Sequence, residues 1–98
     1  MMNKIYGMLG FARKSGNLLL GYDAVTDGVK NKKVVLVICS TDSSEKIREK
    51  VKKLCNTNTI KCLEYGLKVE IGSILNKSEV SFIGISDVNM ADYIMKHY

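Results

Sequence analysis

The chain has 98 residues, 46% hydrophobic and 26% charged, with no proline and a formal net charge of +5. That composition describes one globular domain, 1–98, able to bury a core without disulfide staples and too apolar to be disordered. Its longest uniformly apolar run, Val34 to Cys39, is far short of the ~20 residues a membrane helix needs, which excludes a helical membrane span.

Lys4 to Lys14 sets Ile5, Met8, Leu9 and Ala12 at helical spacing, with Asn3 as the cap. Gly16, following Lys14 and Ser15, is a helix stop. Leu18 to Leu20 reads as a short strand, and Gly21 opens a second helix, Tyr22 to Lys30, with Ala24, Val25, Gly28 and Val29 on one side. Val34 to Cys39 is apolar throughout, as expected of a strand covered on both faces. Asp42 with Glu45 approximates a capping box for the next helix, whose stripe is Ile47, Val51, Leu54 and Cys55. The lysines of that helix alternate with glutamates and are expected to form a solvated face. Past the polar break at Asn56 to Thr59, Ile60 to Leu63 is a third strand. Leu67, Ile71, Ile74 and Leu75 mark a fourth helix, and Val80 to Ser86 the last strand. Asp87 caps a final helix carrying Val88, Ala91, Ile94 and Met95. The alternation of helix and strand predicts an α/β fold, a three-layer α/β/α sandwich around a four-stranded sheet.

Catalytic chemistry finds no foothold. The single histidine, His97, is one residue from the end and is expected to fray. Cys39, Cys55 and Cys62 fall on the apolar pattern without a paired Cys-x-x-Cys spacing, so they read as small buried hydrophobes of a reducing, cytoplasmic protein. Lys4 is followed by no continuous apolar core, which argues against a secretory signal. Asp42 is the one carboxylate at the carboxyl end of a buried strand, where α/β proteins place ligands, but its cap role accounts for it. Gly16 to Gly21 is no P-loop, because no Gly-Lys-Ser/Thr follows. No enzyme, cofactor, metal or small-molecule substrate is expected. The basic excess favours an anionic partner.

Three segments carry a resemblance: LGFARKSGNLLLGYDAV from Leu9 to Val25, the strand and acidic loop from Leu36 to Asp42, and EIGSILNK from Glu70 to Lys77. In this order and spacing they resemble the ribosomal L7Ae/L30e/Gadd45 superfamily, in particular its short bacterial members of YlxQ type. The resemblance covers nearly the whole chain. It implies an L30e-like fold with a mixed sheet and a cytoplasmic, monomeric, non-catalytic protein that binds structured RNA, a kink-turn or ribosomal RNA. The implied contacts are the turn Gly21, Tyr22 and Asp23, the loop Lys77, Ser78, Glu79 and Val80, and the flanking Lys14, Lys30, Lys32 and Lys33. Tyr22 either stacks on an exposed base or leans on its own helix. Asn76 stands where the family has a glycine, and asparagine tolerates the left-handed conformation. Three positions depart from the family turn. Asp23 replaces a polar or basic residue, Ala24 a Glu or Gln, and Asp27 a lysine. These changes put an anion where the family meets phosphate, and they weigh against standard kink-turn recognition. They also motivate an alternative, a protein-interaction module on the same fold.

Overall fold

Leu36–Cys39 is buried along its whole length, and the rest of the molecule is built around it. The computed structural model describes residues 3–98. Its elements are α1 (Lys4–Lys14), β1 (Leu18–Leu20), α2 (Tyr22–Lys30), β2 (Leu36–Cys39), α3 (Glu45–Thr57), β3 (Lys61–Glu64), α4 (Lys68–Ile74), β4 (Phe82–Ile85) and α5 (Val88–Lys96). The sheet runs β1-β4-β2-β3. It is mixed: β4 is antiparallel to both β1 and β2, whereas β3 is parallel to β2.

Successive strand residues point to opposite faces, and this splits the core in two. Leu36 and Ile38 of β2 and Ile83 and Ile85 of β4 pack with Ile5 and Leu9 of α1, Ile71 of α4 and Ile94 of α5. Val37, Cys39 and Phe82 face the other way, onto Val25 and Val29 of α2 and Val51 and Cys55 of α3. The three-layer α/β/α sandwich expected from the helix–strand alternation is therefore the fold.

Several local expectations shift, each for a physical reason. Strand β3 begins at Lys61 because the Ile60 N–H donates back to the Cys55 carbonyl at 2.8 Å, closing the end of α3. Val34 precedes β2 and fills the space where a Cβ on Gly28 or Gly84 would lie, 2.6 and 2.9 Å from one of its methyls. His97 does not fray: its ring nitrogen lies 2.9 Å from the Tyr93 carbonyl, and the two rings stand 4.3 Å apart. Arg48 and Lys52 of α3 are not merely solvated, since both pair with Glu64 of β3, Arg48 at 3.5 Å. Lys52 holds the Glu64 carboxyl below its ordinary pKa.

Asp42 does not cap the helix that follows it. Ser44 does, accepting from the Ile47 N–H at 3.5 Å. Asp42 instead reaches across to α4, whose own N-cap, Leu67, has no side-chain acceptor, and takes the Lys68 N–H at 2.9 Å. That bond lowers the Asp42 pKa. A carboxylate with a depressed folded-state pKa gives stability that is fully present above its unfolded pKa, about 4, and is lost as pH falls through the folded value. Asp42→Ala should therefore lower the urea midpoint at neutral pH. The gap to wild type should narrow as the pH is taken below about 4. A gap that stays constant across that range would remove the carboxylate from the account.

The three cysteines are free thiols that converge from β2, α3 and β3, with Cys39 Sγ 3.6 Å from Cys62 Sγ. Hydrogen bonding to Cys62, then burial, pushes the Cys39 and Cys55 thiols up. Among the described residues no cluster of His, Cys, Asp and Glu is arranged to hold a metal. Among those residues, too, no helix is long and apolar enough to cross a membrane.

Candidate nucleic-acid interface

Gly21 sits at the junction of β1 and α2 with φ +92° and ψ 161°. This region of backbone space is essentially closed to residues with a Cβ. The turn is tied down by the Gly21 N–H, which donates to the Phe82 carbonyl at 2.9 Å. The position requires glycine for its dihedrals and not for room, since a Cβ there would meet nothing within 4 Å. Among the described residues no side chain caps α2 and no backbone acceptor meets the N–H groups of Tyr22, Asp23 and Ala24, the arrangement that receives anions. Asp23, exposed in that same turn, opposes them.

The second half of the site comes from the loop between α4 and β4. It folds back over α4 because the helix presents Gly72 there. A Cβ at Gly72 would stand 2.6 Å from Glu79 Cα, 2.8 Å from Glu79 N and 2.9 Å from the Lys77 carbonyl oxygen, all backbone atoms. The Lys77 N–H donates to the Gly72 carbonyl at 2.8 Å, and the Val80 N–H to the Lys68 carbonyl at 2.9 Å. Asn76 turns the chain at φ +59°, the left-handed conformation expected of it.

Turn and loop meet in an open groove of about 380 Å³. Leu20, Gly21 and Tyr22 form one wall, Lys77, Glu79 and Val80 the other, and Ser81 and Phe82 the floor. The groove therefore unites Gly21, Tyr22, Lys77, Glu79 and Val80, and Ser78 is exposed in the same loop. The Tyr22 ring packs against the floor strand. It stands edge-on to Phe82, with centroids 6.2 Å apart and planes at 73°, and is 40% exposed.

The flanking lysines are placed differently from one another. Lys30 is the last residue of the nine-residue α2, which at ~1.5 Å per residue puts it about 13 Å from Gly21 along the helix. Lys32 and Lys33 lie beyond it, so none of the three enters the groove. Lys14 borders a separate hollow with Arg13 and Asn76. Leu20, Ser81 and Phe82 line the groove although none is among the contacts implied by the sequence, and Phe82 shows why. It reads as core in its strand, and only the β1–β4 pairing carries it to the Gly21 turn.

Strand order, layer order and the two converging connections define an L30e-like α/β/α sandwich with a groove at the head of α2. Residues 3–94 match the ribosomal protein L7Ae/L30e/S12e/Gadd45 family, and the chain belongs to that family. It is 28% identical over 88 residues to the RNA-binding protein YlxQ of Enterococcus faecium, covering 90% of this chain and 84% of that protein. A protein of unknown function from Bacillus halodurans superposes with a TM-score of 0.94 at 27% identity, over 98% of this chain and 97% of that one. The Giardia lamblia 15.5kD RNA binding protein has the same fold, with a TM-score of 0.79 at 15% identity, over 96% of this chain and 81% of that one.

Proposed function

We propose that this protein is a non-catalytic, cytoplasmic binder of structured RNA that uses the groove between the Gly21 turn and the Lys77 loop. The observation that carries the reading is the convergence of two connections far apart in sequence on one open groove, at an uncapped helix N-terminus with Lys77 opposite. Family membership and the relatives' names agree with it. An RNA bend extrudes bases whose edges and faces a deep A-form groove would hide. The helix-end N–H groups and Lys77 would take phosphate oxygens, which position the RNA, while the partly exposed Tyr22 ring is available for stacking.

The target is a kink-turn or ribosomal RNA in which the family's usual turn contacts are weakened. Asp23, Ala24 and Asp27 are all exposed on α2. Like charges ~4 Å apart near a protein surface repel by about 4 kcal/mol before salt screening. The exposed acidic turn is also the one feature that favours a protein partner over RNA.

Titration with a kink-turn RNA and a scrambled control at two salt concentrations tests the reading. With about three or four phosphates neutralised, log affinity should fall against log salt with a slope of roughly −2 to −3. The combined variant Asp23→Asn, Ala24→Glu and Asp27→Lys should bind the kink-turn more tightly than wild type. Unchanged binding in that variant would show that the turn is not a recognition surface. Partners retained from a ribonuclease-treated lysate, with no RNA bound at low salt, would favour the protein-interaction reading.

A further inference from the structure

The groove at Gly21 carries carboxylates, with Glu79 in its wall and Asp23 exposed beside it. On a different face of the molecule lie two hollows that no carboxylate lines. Along the outer side of α1, Phe11 stands 57% exposed. Gly7 borders the hollows on both sides of Phe11, and Gly10 borders one of them. The first hollow, about 350 Å³, is rimmed by Arg13 and Lys14 and ends at Asn76. The second, about 300 Å³, is rimmed by Lys4. No Asp or Glu lines either, and among the described residues none of these three cations is in an ion pair. A carboxylate stands close by: Glu70, exposed, accepts from the hydroxyl of Tyr6, a lining residue of the first hollow, at 2.8 Å.

We infer that the α1 face is a second RNA subsite, in which an unpaired nucleotide stacks on the Phe11 ring while Arg13 and Lys14 hold its phosphate. The inference rests on the RNA reading of the Gly21 groove and extends it. Three features select this occupant. An aromatic ring open at the surface suits any base, because every base has a π-face. A rim of cations without carboxylates suits a polyanion, and an arginine adds a cation–π contact. The hollow also adjoins the groove. Asn76 borders one and Lys77 the other, so a strand crossing the turn between them passes from groove to hollow. Single-stranded RNA leaving the bend would follow this path, and its cationic half would offset the acidic turn at α2.

The test compares a kink-turn RNA with and without a single-stranded oligouridine tail, alongside the free oligouridine, for wild type, Phe11→Ala, Phe11→Trp and Arg13→Gln/Lys14→Gln. The tail should raise wild-type affinity. Phe11→Ala should lower affinity for the tailed RNA about fivefold or more and leave the untailed RNA unaffected. Phe11→Trp should restore the gain, and the Arg13/Lys14 variant should flatten the salt dependence of the tail's contribution. A photoreactive thiouridine in the tail should cross-link to the peptide containing Phe11. A tail that adds nothing to wild type, or a gain that survives Phe11→Ala, overturns the subsite while leaving the groove reading intact. Phe11-dependent binding of oligouridine without binding of the untailed kink-turn would leave the subsite standing and sink the groove. A protein captured through Phe11 in place of RNA overturns the subsite too.

Discussion

On the proposed reading, Gly72→Ala should lower both the stability of this protein and its affinity for RNA. The added methyl would lie 2.6 Å from Glu79 Cα and 2.9 Å from the Lys77 carbonyl oxygen. Those are backbone atoms of the loop that walls the groove, and they cannot rotate away as a side-chain tip would. Either α4 retreats from the core, where Ile71 is fully buried beside Gly72, or the loop lifts off the helix and loses the bond from the Lys77 N–H to the Gly72 carbonyl. Overpacking of this kind costs about 1–3 kcal/mol. The lifted loop would also carry Lys77 out of the groove. Loss of one charge-assisted contact, at the lower end of about 1.5 kcal/mol, is roughly tenfold in affinity. A urea melt and an RNA titration on the same sample check the two halves. Asn76→Gly is the control, because it keeps the left-handed turn at φ +59° without adding atoms. It should leave the affinity near wild type. A Gly72→Ala protein that is destabilised yet binds RNA normally would show that α4 gives way and the loop stays in place; a lifted loop, seen as lost amide-exchange protection at the Lys77 N–H, together with normal binding would show that the loop is not part of the interface.

The second large effect is at Ile83. This residue is fully buried on β4, directly opposite Leu20 on one side and Ile38 on the other. Truncation to alanine removes three carbons from the point where β1, β4 and β2 share the core under α1, α4 and α5. The lost transfer energy and the cavity together cost about 2–5 kcal/mol. That is a large share of the roughly 5–15 kcal/mol that holds a domain of this size folded. The melting temperature should drop by roughly 10 °C or more. The neighbouring Phe82 faces the opposite layer and floors the groove. Ile83→Ala protein kept well below its melting point should therefore still bind RNA. A melting temperature within a few degrees of wild type would mean that the core closes over the gap.

Much of this architecture could be read from residue order, and the reasons are local. The apolar, β-branched run ending at Cys39 is as expected of a strand covered on both faces, and its last four residues are the buried β2. Gly21 and Asn76 announce backbone conformations that other side chains resist, and both have positive φ. What could not be read depends on contacts across the chain. Asp42 has a plausible local role as a cap for α3, and only the folding of α4 against its loop reveals the partner it takes. Glu64 reads as an ordinary surface acid until β3 lies beside α3 and receives Arg48 and Lys52. Lys30, Lys32 and Lys33 are close to Gly21 in number but separated from it by the length of α2. Phe11, unremarked in the helical pattern of α1, matters because Gly7 and Gly10 leave its ring uncovered, and an exposed face is a property of the fold and not of a segment.

The sheet has two borders, and both are poor templates for a stranger. β1 is only three residues long. β3 presents Lys61 to solvent and ends at Glu64, where two cations converge. Short, charged margins are how β-proteins discourage unwanted strand addition and the fibrils that follow from it. The apolar middle strands, which in isolation would stack readily, are thereby quarantined. A chain so built can be crowded onto a polyanion at high local density without seeding its own aggregation.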